Sequence, residues 1–506
     1  MSARKLDWYP EPRLLFGHGQ ALEDPKDGLS LFGPLDRHQT FGVRVGVIGR
    51  RVGIDRYRQW SESVRSPIIP PEDARGRFVY PGFEAIYGID WSSDPVVAVE
   101  IPDDDFDTLR VTDSHKRVYD TVGLYADRIS KAESEDDRRV DVWFVVIPEE
   151  VHQLCRPQSR VSKKDGVTPE VVLSSRMAKK VRQGEPALFD SLNEAAVPHN
   201  YELDFHNQLK ARLLQEKVAI QIIREKRFAL TQEELNANRD GREITRFRAE
   251  IAWNVTNAAY YKAGARPWKV DGVRDGVCYV GLVFKQDERH RDPRMACCAA
   301  QMFLDSGDGV VFKGAVGPWY NPERGDYHLK RDDAAELIQK AVSAYEASTG
   351  APPQELFVHG RVRFKDDEWA GFKDGASGNT NVVGVSIQSE RRNLRIYHRS
   401  TRPALRGLAY PHGRRSAYLW TRGFVPRQQT YPGREVPVPL SVKVCKGDAD
   451  LSVVLRDVMG LTKLNYNTTN FADGLPVTLR FADAVGEILT AAPLDKTPPL
   501  PFRHYI

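Results

Sequence analysis

Four residues carry the strongest candidate chemistry in this chain of 506 residues: His206, Lys210, Gln221 and Lys262. His206 and Lys210 lie in FHNQLKARLLQEK, where Phe205, Leu209 and Leu213 make one apolar stripe. That pattern predicts a helix with His206 and Lys210, four apart, on a shared face. The face is offset from the stripe, so both side chains can project outward together. Gln221 follows in VAIQII, a predicted strand, between Ile220 and Ile222. Lys262 sits in YYKAGARPW, in the last turn of a longer predicted helix. Two ammonium groups, an imidazole and an amide can together supply the donors for a terminal phosphate. One His and two Lys within 57 residues are commonplace, so spacing alone leaves solvated side chains as the alternative.

The elements around these residues have a definite order. VDVWFVVIP, Val140 to Pro148, is an almost continuous apolar run ended by proline. Such a run predicts a strand buried on both faces, as in a parallel sheet covered by helices. A helical start, EEVHQL, follows it, and Asp204 is placed to cap the helix carrying His206. The strand Val218–Ile223 comes next, then a helix over about Glu243–Ala263, stopped by Gly264 and Pro267. Strand–helix–strand–helix order implies a Rossmann-like, doubly wound α/β unit, whose crevice of strand ends and helix starts suits phosphates. The stretch to about residue 135 mixes apolar runs (VRVGVIG, VVAVEIP) with Gly/Pro turns and reads as α/β or β-rich. The acidic clusters Asp103–Asp105 and Glu133–Asp137 read as exposed loops, and Gly166–Pro198 as a helical insertion or loop.

After Trp268 the pattern changes. GVCYVGLVF, CCAAQMFLD and GVVFKGAVG read as three consecutive strands, the last two joined by a turn at Ser306-Gly307-Asp308-Gly309. The helix Lys330–Thr349 and the strand ELFVHGRVRF follow. An antiparallel meander, a helix and a further strand make the ribonuclease H layout. Strands are expected near NVVGVSI and LRIYH, and a last pair of helices around Leu451–Leu461 and Leu479–Leu489. The expected division is a Rossmann-like domain with an N-terminal extension over 1–265 and a ribonuclease-H-like domain over 266–506.

Composition limits the function classes. No run of about eighteen apolar residues occurs, which argues against a membrane span. MSARKLDWYPEPRLLFGHGQ lacks the apolar core of a secretory signal. The five cysteines (Cys155, Cys278, Cys297, Cys298 and Cys445) show no CxxC pair, as expected for small core residues in a reduced cytoplasm. Net charge is only +4, but it is unevenly spread. Phe205–Val270 holds thirteen Lys or Arg against seven Asp or Glu, and Glu390–Glu435 eleven Arg against two Glu. Basic surfaces on an otherwise acidic chain fit a phosphate backbone, although solvated arginine-rich faces fit the same numbers.

The stretch YELDFHNQLKARLLQEKVAIQIIRE, with AAYYKAGARPWKV after it, resembles the MID domain of Argonaute proteins. That resemblance implies that His206, Lys210, Gln221 and Lys262 bind the 5′ phosphate of a guide strand. His206 replaces the tyrosine of long forms, and an imidazole can still stack and donate. The final TPPLPFRHYI resembles the family's buried C-terminus. The resemblance implies that the carboxylate of Ile506 and Gln221 hold a divalent ion, Mg2+, against the guide phosphate. FGHGQALEDPKDGLSLFGPL, YPGFEAIYGIDW, RVDVWFVVIPEE, CCAAQMFLDSGDGVVFKGAVGPWYNP, LTKLNYN and GLPVTLRFADAVGEILT extend the likeness over nearly the whole chain. They are similar to short prokaryotic Argonautes, which consist of MID and PIWI domains, and among these to the subgroup associated with TIR-APAZ proteins.

Two-metal hydrolysis needs several carboxylates around ions about 4 Å apart. By resemblance, the first carboxylate position of the PIWI domain falls on Val283 in VGLVF, and the second on Arg361 in HGRVR. A last position falls on Asp483 in RFADAVG. One carboxylate cannot hold two metals, so the chain is expected not to cut nucleic acid. Arg361 and the basic segment Arg391–Arg434 could instead meet a guide–target duplex, and Asn465 and Asn467 could approach it, although asparagines in KLNYN also read as turn formers.

The resemblance therefore implies a cytoplasmic, catalytically inactive short Argonaute. It would hold a 5′-phosphorylated guide RNA, sense complementary single-stranded DNA, and activate an APAZ-linked effector in antiviral and plasmid defence. A TIR-type NAD hydrolase is the expected effector, joined as a heterodimer that forms a higher oligomer on target binding. A sirtuin-like NADase or a nuclease effector is the alternative, and a metal-dependent guided nuclease the second alternative.

Overall fold

Apolar runs without polar interruption become the central strands of two sheets. The computed structural model describes residues 6–506 except 38–41, 72–77, 163, 229–238, 273, 287–291, 305–308, 377, 390–393, 398, 400–401, 432, 434 and 494–498. The expected turn residues Ser306, Gly307 and Asp308 lie outside the described residues.

The first sheet has four parallel strands: β1 (Val45–Gly49), β2 (Val97–Glu100), β3 (Val142–Ile147) and β4 (Ile220–Arg224). Their order is β2-β1-β3-β4. Every residue of β3 is buried, which is why its sequence does not alternate. Helix α1 (Arg51–Val64) packs Tyr57 and Trp60 with Val47 and Phe144 on one face. Helices α2 (Ser114–Glu135) and α3 (Phe205–Leu213) pack Val118, Tyr125, Phe205 and Leu209 with Ile48 and Val145 on the other. A fourth helix, α4 (Arg239–Lys262), leads out of this layer.

Helices α1 and α2 were not foreseen, because their polar faces break up the apolar runs. Glu133 is not in a loop: it lies in the last turn of α2, and its carboxylate accepts from Trp143 Nε1 at 2.6 Å. Asp103–Asp105 open a 3-10 helix, Asp103–Arg110, in which Asp105 pairs with Arg128 at 2.6 Å. The polar insertion contains two short helices, Ser175–Arg182 and Asp190–Ala196.

Among the described residues the second sheet has ten strands. Its centre is β5 (Val277–Gln286), β6 (Ala296–Leu304) and β7 (Gly309–Gly317), an antiparallel meander. On the other side of β5 lie β8 (Glu355–Gly360) and β9 (Asn381–Ser389), both parallel to it. Then come β12 (Leu440–Lys446), β11 (Ser416–Leu419) and β10 (Leu408–Gly413). Asp7–Trp8 closes the sheet beside β10, and Leu500–Pro501 closes it beside β7. Helix α5 (Arg331–Thr349) and the unforeseen α6 (Asp366–Gly375) cover one face. Helices α7 (Leu451–Leu461) and α8 (Ala482–Thr490) join the core on the other face, which is continuous with the first sheet.

The strand expected at LRIYH does not form. Residues 394–397 have no regular structure, Tyr397 is 78% exposed, and His398 lies outside the described residues. Gly281 in β5 is required by contact: a Cβ there would lie 1.9 Å from the Thr478 carbonyl oxygen. Only a bare Cα lets the chain before α8 lie this close to the sheet.

The N-terminal segment is tied in by charge. Glu11 accepts from Arg406 Nε at 2.7 Å and from Lys463 Nζ at 2.9 Å. Lys463 also donates to the Glu23 carbonyl at 2.7 Å. All three side chains are buried or nearly so, and an anion shared by two cations satisfies each of them.

Candidate anion-binding site

The site is assembled from four segments. Asp204 caps α3 by accepting from Asn207 N at 3.0 Å, which fixes where His206 and Lys210 emerge. Gln221 is the second residue of β4, in register with Phe144 of β3. Lys262 is the last residue of α4, and Gly264 just beyond it takes a φ of 104°. The fourth segment is the chain end, Phe502 to Ile506.

These segments line an open cavity of about 320 Å³ bordered by His206, Lys210, Gln221, Lys262 and Ile506, all five of the groups the sequence singled out. The structure thus brings together residues from opposite halves of the chain. Their setting differs from the expectation in one respect. Lys210 does not project outward into solvent; it is 4% exposed, as is Lys262, because the chain end closes over α3. His206 remains exposed at the cavity.

Lys210 Nζ donates to the Tyr505 carbonyl at 3.1 Å. Lys262 Nζ donates to the Ile220 carbonyl at 3.0 Å and to Gln221 Oε1 at 2.6 Å. Among the described residues neither ammonium is ion-paired with a side-chain carboxylate. Burial pushes Lys210 down to about 7. Burial, and then the charge of Lys210, holds Lys262 well below its ordinary value. His206 opens to the cavity but is otherwise closely surrounded, so desolvation, and then the charges of Lys210 and Lys262, lower it. Such a cavity is short of negative charge, and an anion entering it would restore the charged forms of both lysines.

The sequence reading missed Asn254 and Thr468, which line the same cavity. Asn254, Ala258 and Lys262 repeat every four residues along α4, and this spacing was a readable signal for one shared face. Asn254 Oδ1 accepts from Thr469 N at 2.8 Å and Oγ1 at 3.1 Å, and Asn257 Nδ2 donates to the Tyr466 carbonyl at 2.7 Å. The loop after α7 is thereby fastened to α4, which places Asn467 and Thr468 at the cavity. Asn465 is a turn former: its Oδ1 accepts from Asn467 N at 3.1 Å and its Nδ2 donates to Asp473 at 2.8 Å.

The three positions matched by resemblance to ribonuclease-H-like carboxylates lie toward the C-terminal ends of β5 and β8. Val283 is buried on β5 opposite Ala299. Arg361, just past β8, faces Asp483 in the first turn of α8. The arginine-rich segment divides by role. Arg391 and Arg434 lie outside the described residues. Arg406 holds Glu11, Arg415 donates to the Val444 carbonyl at 3.0 Å, and Arg427 pairs with Asp27. These three serve the fold.

A four-stranded parallel sheet followed by a ten-stranded mixed sheet, joined in this order, has the fold of the MID and PIWI domains of Argonaute proteins. Among solved structures, the chain is similar to Clostridium butyricum Argonaute bound to a guide DNA (5′ deoxycytidine) and a 19-mer target DNA. The identity is 13% and the TM-score 0.64, over 100% of this chain and 55% of that one. It is also similar to Aa-Ago with externally bound siRNA (14% identity, TM-score 0.54, 100% and 56% covered) and to A. aeolicus Argonaute (14%, 0.54, 98% and 54%). The chain spans about half the length of these structures. No protein-family model and no curated protein matches the sequence. Among the described residues no helix is long and apolar enough to cross a membrane.

Proposed function

We propose that the chain is a short Argonaute that holds the 5′-phosphorylated end of a guide strand in this cavity and presents the guide for pairing with a target. One observation carries the reading: two buried ammonium groups with no carboxylate side-chain partner among the described residues converge with an imidazole on one cavity. Lys210 and Lys262 grip the phosphate oxygens, His206 donates at the mouth, and Gln221 is fixed by Lys262 beside them. Holding the backbone end while base pairing reads the sequence makes capture salt-sensitive and nearly sequence-independent.

Gln221 and Ile506 would hold a divalent ion of the Mg2+ type once Lys262, whose ammonium donates to Gln221 Oε1, turns to the phosphate instead. When bound, such an ion would supply positive charge to offset the negative charge of the phosphate and the Ile506 carboxylate. Among the described residues no group of three His, Cys, Asp or Glu could hold a metal by itself.

The chain does not cut its target in this reading, because Val283 and Arg361 stand where carboxylates would be needed. Guide RNA and single-stranded DNA are the proposed strands. An APAZ-linked TIR protein is the proposed partner that turns target pairing into NAD hydrolysis, in defence against phages and plasmids.

The test is retention of labelled 5′-phosphate and 5′-hydroxyl RNA of one sequence by the purified chain, followed by addition of matched DNA in Mg2+ or Mn2+. Strong preference for the phosphorylated strand, and an intact target, are expected. Equal retention of both strands would remove the phosphate assignment, and cleavage opposite the guide's centre would remove the inactive reading.

A further inference from the structure

Two residues outside the cavity wall are linked in series to His206. His206 Nδ1 lies 3.3 Å from Asn207 Oδ1, and among the described residues its Nε2 has no protein partner. Asn207 is buried, and its Nδ2 donates to Glu202 Oε2 at 3.4 Å. Glu202 sits at the seam with the second sheet's helices: its N–H donates to the Ala491 carbonyl at 3.0 Å, just past α8. Its own carbonyl accepts from Gln208 Nε2 at 2.7 Å, which holds this stretch against α3.

An amide presents an oxygen on one side and an NH2 on the other, and a half-turn exchanges them. While Glu202 is ionised it can only accept, so Asn207 must turn its NH2 toward it and its oxygen toward His206. That oxygen requires a proton on Nδ1, which leaves a neutral imidazole with a lone pair on Nε2. Once Glu202 is protonated it can donate to the amide oxygen. The amide then turns its NH2 to Nδ1, and the imidazole proton belongs on Nε2.

We infer that Glu202 and Asn207 are positioning residues for His206. In this relay the charge on Glu202 sets, through the orientation of the Asn207 amide, whether Nε2 meets a phosphate as a donor or as a lone pair. The relay rests on the phosphate reading of the cavity. Its balance is simple: Glu202 takes one proton from solvent, the amide rotates, and the imidazole exchanges its proton from Nδ1 to Nε2.

The surroundings bring Glu202 into the working range. Burial, then the carboxylates of Asp204 and Glu487, push it up to about 7, while Lys285 and the Asn207 hydrogen bond draw it down. Lys285 is shared with Glu487 at 3.4 Å. Lys210 and Lys262 are the charged groups facing His206.

The experiment is the pH profile of 5′-phosphorylated RNA binding for the wild-type chain, Glu202→Gln and Asn207→Leu. With the relay, wild-type affinity falls above pH 7 by up to about tenfold per pH unit more steeply than that of either variant. The neutral amide introduced by Glu202→Gln lets the Asn207 side chain turn freely, and Asn207→Leu removes the constraint on His206. Profiles parallel to wild type, displaced or not, would overturn the relay, since a merely structural role lowers binding equally at every pH. Histidine 15N spectra of the free wild-type chain decide the matter without ligand or variant. The His206 proton should move from Nδ1 at about pH 8.5 to Nε2 at about pH 6, on either side of the Glu202 transition, and one unchanged tautomer would overturn the proposal. Failure of the phosphate reading shows differently, as wild-type chain that does not distinguish 5′-phosphate from 5′-hydroxyl RNA.

Discussion

Arg361 meets Asp483 through two parallel hydrogen bonds, Nη1 to Oδ1 and Nη2 to Oδ2, each 2.9 Å long. A carboxylate held this way has its lone pairs directed at a guanidinium, and a cation approaching it is repelled by the same group. The pair is roughly half exposed on the arginine side and more so on the aspartate side, so it adds little to stability.

Arg361→Ala should therefore lower stability by less than about 1 kcal/mol in urea unfolding. It should also reduce target retention by guide-loaded protein several-fold at low salt. An unchanged target affinity would place Arg361 outside the nucleic-acid interface.

Lys210→Met with Lys262→Met should erase the preference for a 5′-phosphorylated strand. Charge-assisted hydrogen bonds contribute about 1.5–3 kcal/mol each, so a loss of at least about a hundredfold is expected in direct titration. The empty protein should change little in stability, because relief of two buried ammonium groups is offset by the Tyr505 and Ile220 carbonyls and Gln221 Oε1 losing their donors.

The same lysines predict how the empty protein responds to pH. Lys210 is held at about 7 when folded, while an unfolded lysine titrates near its ordinary value of about 10.4. Between these values the unfolded chain binds more protons, so this group makes stability rise with pH, by up to about 1.4 kcal/mol per unit. Lys262 acts in the same direction. Thermal melts in phosphate-free buffer from about pH 7 to about pH 9.5, inside that window, should show the wild type gaining on Lys210→Met. A bound 5′-phosphorylated strand should reduce that gain.

Glu11→Ala leaves Arg406 and Lys463 buried without their anion and should cost about 3–5 kcal/mol in denaturant unfolding. Burial alone would raise the Glu11 carboxyl, but the charges and hydrogen bonds of Arg406 and Lys463 outweigh it and hold it low. Its contribution is thus present above the ordinary carboxylate range and lost as pH falls through the folded value. The acid transition of Glu11→Ala should be shallower than that of the wild type.

The parts of this fold that were legible in the sequence are those encoded by unbroken apolar runs. β3, β5 and β6 are buried along most or all of their length, and their sequences say so. Amphipathic α1, α2 and α6 carry charges through their middles and escape a reading based on apolar runs, while the short alternation at residues 394–397 suggests a strand that does not form. Within the site, spacing supplied His206 with Lys210 and the helix end supplied Lys262. Their common purpose came from resemblance, not from periodicity. Asn254, Thr468, Asn207 and Glu202 were harder to find for a different reason. Each acquires its meaning only when α4, the loop after α7 and the stretch before α3 close on one another, and no local pattern records that closure.

The outermost strands of the ten-stranded sheet, Asp7–Trp8 and Leu500–Pro501, are two residues long and separated by nearly the whole sequence. Each pairs with two residues at one end of a longer neighbour and covers that part of its edge. Trimming either extremity would therefore do more than shorten the molecule: it would lengthen the open edge of the sheet and favour self-association. Because both guards arrive from remote parts of the polypeptide, the sheet stays vulnerable until late in folding.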